Sequence, residues 1–553
     1  MTTPTLDHRS GPIDVLVVGG GITGAGVARD AARRGLSVVL VDQSDVASGT
    51  SSRSSKLIHG GLRYLEQGEL SLVFEAVAER RVLLEIAPHL VVPLPFLLPV
   101  FDDSRHSMFT INMGMWLYDG LSLFRSPKLH KSLPRKKVMA AEPHLRRDGL
   151  KGAQVYYDCA TDDARLTLET TLDAVRHGAK VMTYTRVERW LRQEGRVTGG
   201  QLKDQLTGAV TDLTARVVVN ATGPWSDGVR ADDREVHQPR IRPTKGVHIV
   251  VSAARLRLSH AVCCMHPDDG RVFFTIPWGD HTYIGTTDTD FDGDPGAVYA
   301  ECSDVDYLLR ATNDYFPGLD IGHADVVSTW AGVRPLVVDE GAENESSVSR
   351  EHHLVCEPDG VVTIAGGKLT TYRSMAAEVV DMVVEQLDER GRDCRDLQGA
   401  DTNTDPLPGA MGWPERGGEK QVISAVIDAA SGHLSEPVAR NLVSTLGMRA
   451  IDLAERVALA PEGASPLVQG RPEVLAQVDW AVEAELARTV SDVLMRRTQL
   501  YYRDSDQGLG AVGAVADRMG QLLGWTDEQR QAQMKVYRDE VARSRKWRDE
   551  SSV

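Results

Sequence analysis

Cysteine is scarce: six residues in 553, with Cys263 and Cys264 the only adjacent pair. They show neither metal-ligand spacing nor a disulfide framework, so a reducing cytosol is the expected compartment. Long apolar runs are lacking too. No stretch reaches the roughly eighteen uncharged apolar residues of a membrane-crossing helix, and the opening MTTPTLDHRSGPID has no basic-then-apolar signal pattern. Positive charge is in deficit, with 62 Lys and Arg against 78 Asp and Glu and a formal net charge of −16. That excludes broad nucleic-acid binding and adhesion to anionic lipid by net charge, although local basic patches still act within a Debye length. No repeat of fixed period occurs.

What is present is a globular composition, 42% hydrophobic and 25% charged, in a chain long enough for about two to four domains. Residues 14–20, DVLVVGG, read as a buried strand. Residues 22–34 read as a helix closed by Gly35, and 37–42, SVVLVD, as a second strand ending on an acid. This is a βαβ unit and implies a parallel sheet. A helix pattern over 69–87 stops at Pro88, and another spans 162–177 before Gly178. Residues 180–190, 216–223 and 361–366 read as strands, 241–290 as an antiparallel sheet, and 370–388 as a helix. Residues 398–418 are rich in Pro, Gly and polar residues, and 420–545 follow a helical period.

VVGGGITGAG holds Gly19-x-Gly21-x-x-Gly24 between the first strand and the first helix, with Asp42 at the tip of the second strand. In that context the pattern is a dinucleotide fingerprint. Gly19 permits the tight turn, Gly21 lets the backbone approach a pyrophosphate, and Gly24 lets helix pack on strand. The helix start presents N–H groups and partial positive charge to phosphates, and Asp42 can accept from a ribose diol. Two later segments favour FAD over NAD: NATGPWSD at 220–227, and VVTIAGGKLTTYRSMA at 361–376, whose helix start can face the flavin ring.

The combination resembles the FAD-dependent sn-glycerol-3-phosphate dehydrogenase family of the D-amino-acid-oxidase-like flavoproteins. The segments that carry the resemblance are the fingerprint, GTSSRSSKLIHGGLRYLE, GPWSD, RPTKGVHIVV, YIGTTDTDFDGDP, AGVRPL, SVSREH and GGKLTTYRSMA, with RTVSDVLMRRT in the tail. The implied fold is α/β: a Rossmann-like FAD-binding domain from 11–90, 150–235 and 345–397, and an antiparallel β-sheet substrate-binding domain from 91–149 and 236–344. A linker over 398–419 then leads to an α-helical C-terminal domain over 420–553. The implied reaction oxidises sn-glycerol 3-phosphate to dihydroxyacetone phosphate, with hydride passing from C2 to flavin N5 and electrons going on to quinone. O₂ as acceptor, a NAD-dependent enzyme and a non-catalytic flavin-binding protein stand as alternatives.

Such a site needs a cationic cradle for a phosphate dianion, positive charge near the flavin pyrimidine edge, and a proton acceptor. Arg63, Arg334 and Lys368 are the cationic candidates, and Tyr64 and Thr370 join them as substrate ligands. His248 is the candidate base, catalytic with Arg334 and Lys368. His59 is its rival, although its place in the loop points to flavin contact. Cofactor contacts are expected from Ile22 and Thr23 beside the glycines, from Asp42 and Gln43, and from the loop residues Thr50, Ser51, Ser52, Ser55, Lys56 and Leu57. Val187, Ala221, Thr222 and Gly223 add to the set, as do Gly367, Lys368, Leu369 and Thr370. Thr371 is a further hydrogen-bonding candidate.

Residues 108–124, MFTINMGMWLYDGLSLF, are largely apolar, and 125–137, RSPKLHKSLPRKK, carry six Lys or Arg and no acid. This pairing suits interfacial docking on anionic lipid, or a core helix followed by a solvated basic loop. The resemblance implies peripheral attachment to the inner face of the cell membrane. A homodimer is expected. The tail holds no catalytic constellation and serves as a cap on the site or as a subunit interface.

Overall fold

The computed structural model describes residues 11–61, 69–121, 128–230, 240–338, 352–415 and 418–550. IDVLVV forms β1 (Ile13–Val18), buried along nearly its whole length. A strand with both faces covered belongs in the middle of a parallel sheet. α1 (Ile22–Arg33) returns across it, and β2 (Val38–Val41) runs parallel beside β1, with Val15 opposite Val38 and Val18 opposite Val41. Gly35, at φ 94°, makes the left-handed turn between helix and strand.

Next come α2 (Leu70–Ile86), β3 (Val92–Phe101), α3 (Met108–Leu121), β4 (Leu150–Ala160), α4 (Asp163–Arg176), β5 (Lys180–Met182) and β6 (Val210–Asn220). They are followed by β7 (Ile241–Ser252), β8 (His281–Gly285), α5 (Cys302–Tyr315), β9 (Val326–Val337), β10 (His352–Cys356), β11 (Val361–Gly366) and α6 (Tyr372–Glu389). The tail holds α7 (Glu419–Ala429), α8 (Glu436–Leu446), α9 (Ala450–Leu459) and α10 (Ala476–Ala484). After a π-helical turn at Asp492–Arg497 it continues with α11 (Val512–Leu523), α12 (Asp527–Ser544) and α13 (Trp547–Glu550).

Two sheets organise these elements. One has the order β10-β11-β6-β1-β2-β5, with the hairpin 185–193/196–204 attached to β6. β11, β6, β1, β2 and β5 are parallel, and Val18 at the end of β1 lies opposite Asn220 at the end of β6. The chain leaves β1 for β2 on one side and reaches β6 on the other. The ends of β1 and β6 therefore form a switch point, where open α/β sheets bind ligands. In the second sheet β7 pairs antiparallel with β9 on one edge and β8 on the other, and β3 pairs with β4. The expectation of an antiparallel sheet needs one correction: residues 261–265 run parallel to β3.

α4 is buried from Asp163 to Ala174 although it carries several charges. Buried charges need partners, and these come from three directions. Asp173 pairs with Arg29 of α1 at 2.7 Å, Glu169 with Arg449 at 2.6 Å, and Arg165 with Glu485 at 2.5 Å. Within the Pro- and Gly-rich stretch, residues 402–410 are packed rather than extended. Thr402 and Asp405 offer backbone carbonyls to Arg29, and the Gly409 N–H donates to Glu169 at 2.7 Å.

Candidate active site

The loops after β1, β2, β6 and β11 face the second sheet across a cavity of about 890 Å³, at the large end of ligand sites. On the sheet side the glycines have steric reasons. Gly19 takes φ 108°, and a Cβ on Gly24 would overlap the Gly19 carbonyl. A Cβ on Gly21 would come within 3.2 Å of Ser51 Oγ, which accepts from the Ile22 N–H at the start of α1 at 2.9 Å. Asp42 accepts from the Gly20 N–H at 2.6 Å and the Ser44 N–H at 2.8 Å. Burial nevertheless pushes its carboxyl up to about 6.

Thr23, Gln43, Thr50, Ser55, Leu57 and His59 also line the cavity, as do Val187, Ala221, Thr222 and Gly223. Gly367, Lys368 and Leu369 line it at the far end of the parallel strands. A glycine cradle, an open helix start and a carboxylate at the second strand tip make a donor and acceptor set that fits a dinucleotide.

Several expected ligands are turned elsewhere. Ser52 Oγ donates to the Gly49 carbonyl at 3.4 Å. Lys56 Nζ donates to Asp163 at 2.6 Å and stands 5.4 and 5.5 Å from the Trp330 and Tyr502 ring centroids. Gly24 lies beneath the cradle. The Thr370 hydroxyl bonds the His59 N–H and carbonyl, each at 3.2 Å, and so ties the loop after β2 to the approach to α6. Thr371 Oγ1 contacts Met375 Sδ at 3.6 Å. Arg63 and Tyr64 lie outside the described residues.

The second sheet supplies the facing wall. Register places His248 opposite Trp330 and Thr244 opposite Arg334. Glycines make room for both side chains: a Cβ on Gly285 would overlap the His248 ring, and one on Gly246 would overlap the Arg334 guanidinium. Arg334 donates to Asp288 at 2.7 Å, Thr286 Oγ1 at 2.9 Å and the Thr287 carbonyl at 3.2 Å, which fixes its plane. His248 is 2% exposed and stacks on Trp330 with centroids 4.7 Å apart and planes at 12°. Its Nε2 lies 3.0 Å from Ser55 Oγ, and its buried Nδ1 has no hydrogen-bond partner among the described residues. Hydrogen-bond accounting puts the proton on Nε2, donating to Ser55, and the lone pair on Nδ1, because an unpaired buried N–H costs about 1–3 kcal/mol. Burial first, then Arg334 and Lys56, hold the imidazole well below its ordinary value. The ring is neutral.

Other lining residues escaped the sequence reading. Arg53 lines the cavity, and its backbone packs where a Cβ on Gly332 would sit; its signal was an arginine inside the serine run SSRSS. Met495 and Arg496 of the π-helical turn and Glu540 of α12 also line it. Glu540 reads as ordinary helix, and Met495 and Arg496 fall in RTVSDVLMRRT, which carries the resemblance but marks no site role.

Residues 14–373 match the family described as FAD dependent oxidoreductase, and residues 400–530 match the C-terminal domain of alpha-glycerophosphate oxidase. The aerobic glycerol-3-phosphate dehydrogenase of Staphylococcus epidermidis is 36% identical over 551 residues, covering 98% of this chain and 96% of that one. Its Staphylococcus aureus counterpart is 36% identical over 538 residues, 96% and 94% of the two chains. The glycerol-3-phosphate dehydrogenase structure from Bacillus halodurans, complexed with FAD, superposes with a TM-score of 0.81 at 33% identity, covering 97% of this chain and 95% of that one. The L-alpha-glycerophosphate oxidase of Mycoplasma pneumoniae, with FAD bound, has a TM-score of 0.53 at 17% identity over 68% of this chain and 95% of its own, a likeness of fold.

Proposed function

The chain belongs to the FAD-dependent glycerol-3-phosphate dehydrogenase family, and from that membership we propose that it oxidises sn-glycerol 3-phosphate to dihydroxyacetone phosphate. The observation that carries this reading is the pairing of walls: a dinucleotide cradle on one side of the cavity, and a neutral buried His248 beside a braced Arg334 on the other. FAD is the cofactor, and when bound it supplies the two-electron acceptor for the hydride that leaves C2. Gly19, Gly21, Asp42 and the Thr50–Leu57 loop hold it. Arg334 and Arg63 bind the substrate phosphate in the bidentate manner that suits guanidinium. Lys368 sets positive charge at the pyrimidine edge. His248 takes the proton from the C2 hydroxyl. Adding sn-glycerol 3-phosphate to the purified yellow protein without oxygen bleaches the flavin absorbance; an unchanged spectrum overturns the proposal.

Asp42 gives the site a pH dependence. Its folded value, about 6, lies above the ordinary 3.8. In the protein without FAD this carboxyl therefore favours folding fully below pH 3.8, and that contribution is lost as pH rises through about 6. A ribose diol donates to the ionised form, so FAD affinity falls by roughly tenfold per pH unit below the folded value. Flavin titrations between pH 5 and 8 on the scale of about half a unit test this: Asp42→Asn binds more weakly throughout and loses the slope, and a wild-type affinity flat across that window contradicts it.

Electrons then pass to membrane quinone. No helix among the described residues is long and apolar enough to cross a membrane. The support comes from α3, where Phe109, Met113, Trp116 and Leu117 lie on one face and are 73, 58, 55 and 47% exposed. Lys131, Arg135, Lys136 and Lys137 are exposed nearby. An apolar helix face beside basic residues suits the interface of an anionic bilayer. Reversing Lys131, Arg135, Lys136 and Lys137 to Glu abolishes co-sedimentation with vesicles containing phosphatidylglycerol. Unchanged co-sedimentation sinks the docking assignment, and stoichiometric H₂O₂ in place of quinone reduction under air makes the acceptor O₂.

A further inference from the structure

We propose that the surface of the second-sheet domain carries a zinc site built from Cys302, Asp306 and His323. Cys302 opens α5, and Asp306 follows one turn later on the same face. The chain then leaves the helix and returns in the turn His323–Asp325. That return is held in place: Asn313 donates its amide to the Ile321 carbonyl and accepts the Ile321 N–H, both at 2.9 Å. The bracket delivers His323 over Asp306, with Nε2 2.6 Å from Oδ1. On the other carboxylate oxygen, the Cys302 thiol donates at 3.6 Å. Trp547 of α13 meets the His323 ring edge-on, with centroids 5.4 Å apart.

The ligand chemistry selects the ion. Thiolate, imidazole and carboxylate together suit Zn²⁺ better than Mg²⁺ or Ca²⁺, which take oxygen donors. The three ligand atoms lie within 4.8 Å of one another. The edges of a tetrahedral zinc site are about 3.5 Å, from bond lengths of about 2.0–2.3 Å, so side-chain shifts of about an ångström close it. Among the described residues Asp306 has no lysine or arginine partner, and its ion pair is with His323 alone. It is 60% exposed, which leaves an entry path and room for water as fourth ligand. Binding releases the thiol proton and requires neutral His323, so affinity rises with pH. The bound ion would staple the start of α5 to the strand that follows His323, and through Trp547 to the end of the described chain.

The test uses the flavin-loaded enzyme, dialysed against chelator and titrated with Zn²⁺ by calorimetry, with Co²⁺ as a spectroscopic substitute. The expected result is one Zn²⁺ per chain, lost in both Cys302→Ser and His323→Ala, with flavin content unchanged as the check on folding. Co²⁺ gives tetrahedral bands at longer wavelength than the flavin, together with a thiolate charge-transfer band that Cys302→Ser removes. The proposal is overturned if the enzyme takes up no Zn²⁺, if uptake survives either substitution, or if the Co²⁺ spectrum lacks the thiolate band.

Discussion

His248→Ala is expected to slow flavin reduction by about 10²–10⁴-fold, the usual contribution of a positioned general base, while FAD stays bound. The ring is neutral because burial, reinforced by the positive charges of Arg334 and Lys56, disfavours the imidazolium. The acid limb of kcat/KM in the wild type therefore lies well below the ordinary histidine value of 6.5. Arg334→Gln removes one of the positive charges, so it moves that limb upward besides weakening substrate binding. A packing role alone would not move it. His248 also stacks on Trp330 and fills the space above Gly285, so His248→Asn, which keeps polarity at smaller volume, separates packing from chemistry. Rapid-mixing reduction of the flavin across pH reads both effects. A His248→Asn enzyme reduced at the wild-type rate would remove this residue from the reaction.

Arg497→Ala produces the second large effect, and it acts on the cofactor from the far end of the chain. Arg497 donates to Asp45 through Nη1 at 2.7 Å and Nη2 at 2.9 Å, and Arg496 adds Nε at 2.6 Å. Asp45 is fully buried. Burial pushes its carboxyl up, but the two guanidinium groups more than offset this and hold it below the ordinary range. Removing the sole partner of a buried charge costs about 3–5 kcal/mol; Asp45 keeps Arg496, so the loss here falls below that figure. The site lies three residues after Asp42, and the Ala47 N–H donates to the Gly20 carbonyl at 3.0 Å, so this segment braces the glycine loop. The expected outcome is faster release of FAD, seen as rising flavin fluorescence on dilution, with partial rescue in Arg497→Lys. If the thermal midpoint falls while FAD affinity holds at the wild-type level, the tail contributes stability and leaves the cofactor loop alone.

The serine-rich loop between β2 and α2 illustrates how far a sequence reading reaches. Composition alone resembles a linker, yet its position between the Asp42 tip and a strong helix predicts a folded segment beside the dinucleotide cradle. Thr50, Ser51, Ser55, Leu57 and His59 do line the cavity. The same stretch misleads at Lys56. A lysine among serines beside a phosphate site reads as an anion ligand, whereas Asp163, 107 positions away, takes its ammonium. Arg53, three residues earlier, stays in the cavity wall. Two cations three residues apart thus have opposite destinations, and only the identity of their distant neighbours separates them.

Local sequence determined the βαβ unit, the glycine turn, Asp42 at the strand tip and the helical character of the tail, because each depends on steric and hydrogen-bonding rules that act over a few residues. It also marked His248 and Arg334, a histidine and an arginine in apolar strands, but not the glycines Gly246 and Gly285. Tertiary structure alone decided that those glycines face those side chains, since strand register joins positions dozens of residues apart. It alone placed Arg496 and Arg497 on Asp45 and brought His323 to Cys302 and Asp306. Buried charges settle where a partner of opposite sign is within reach, and that partner is chosen by the packing of the whole chain.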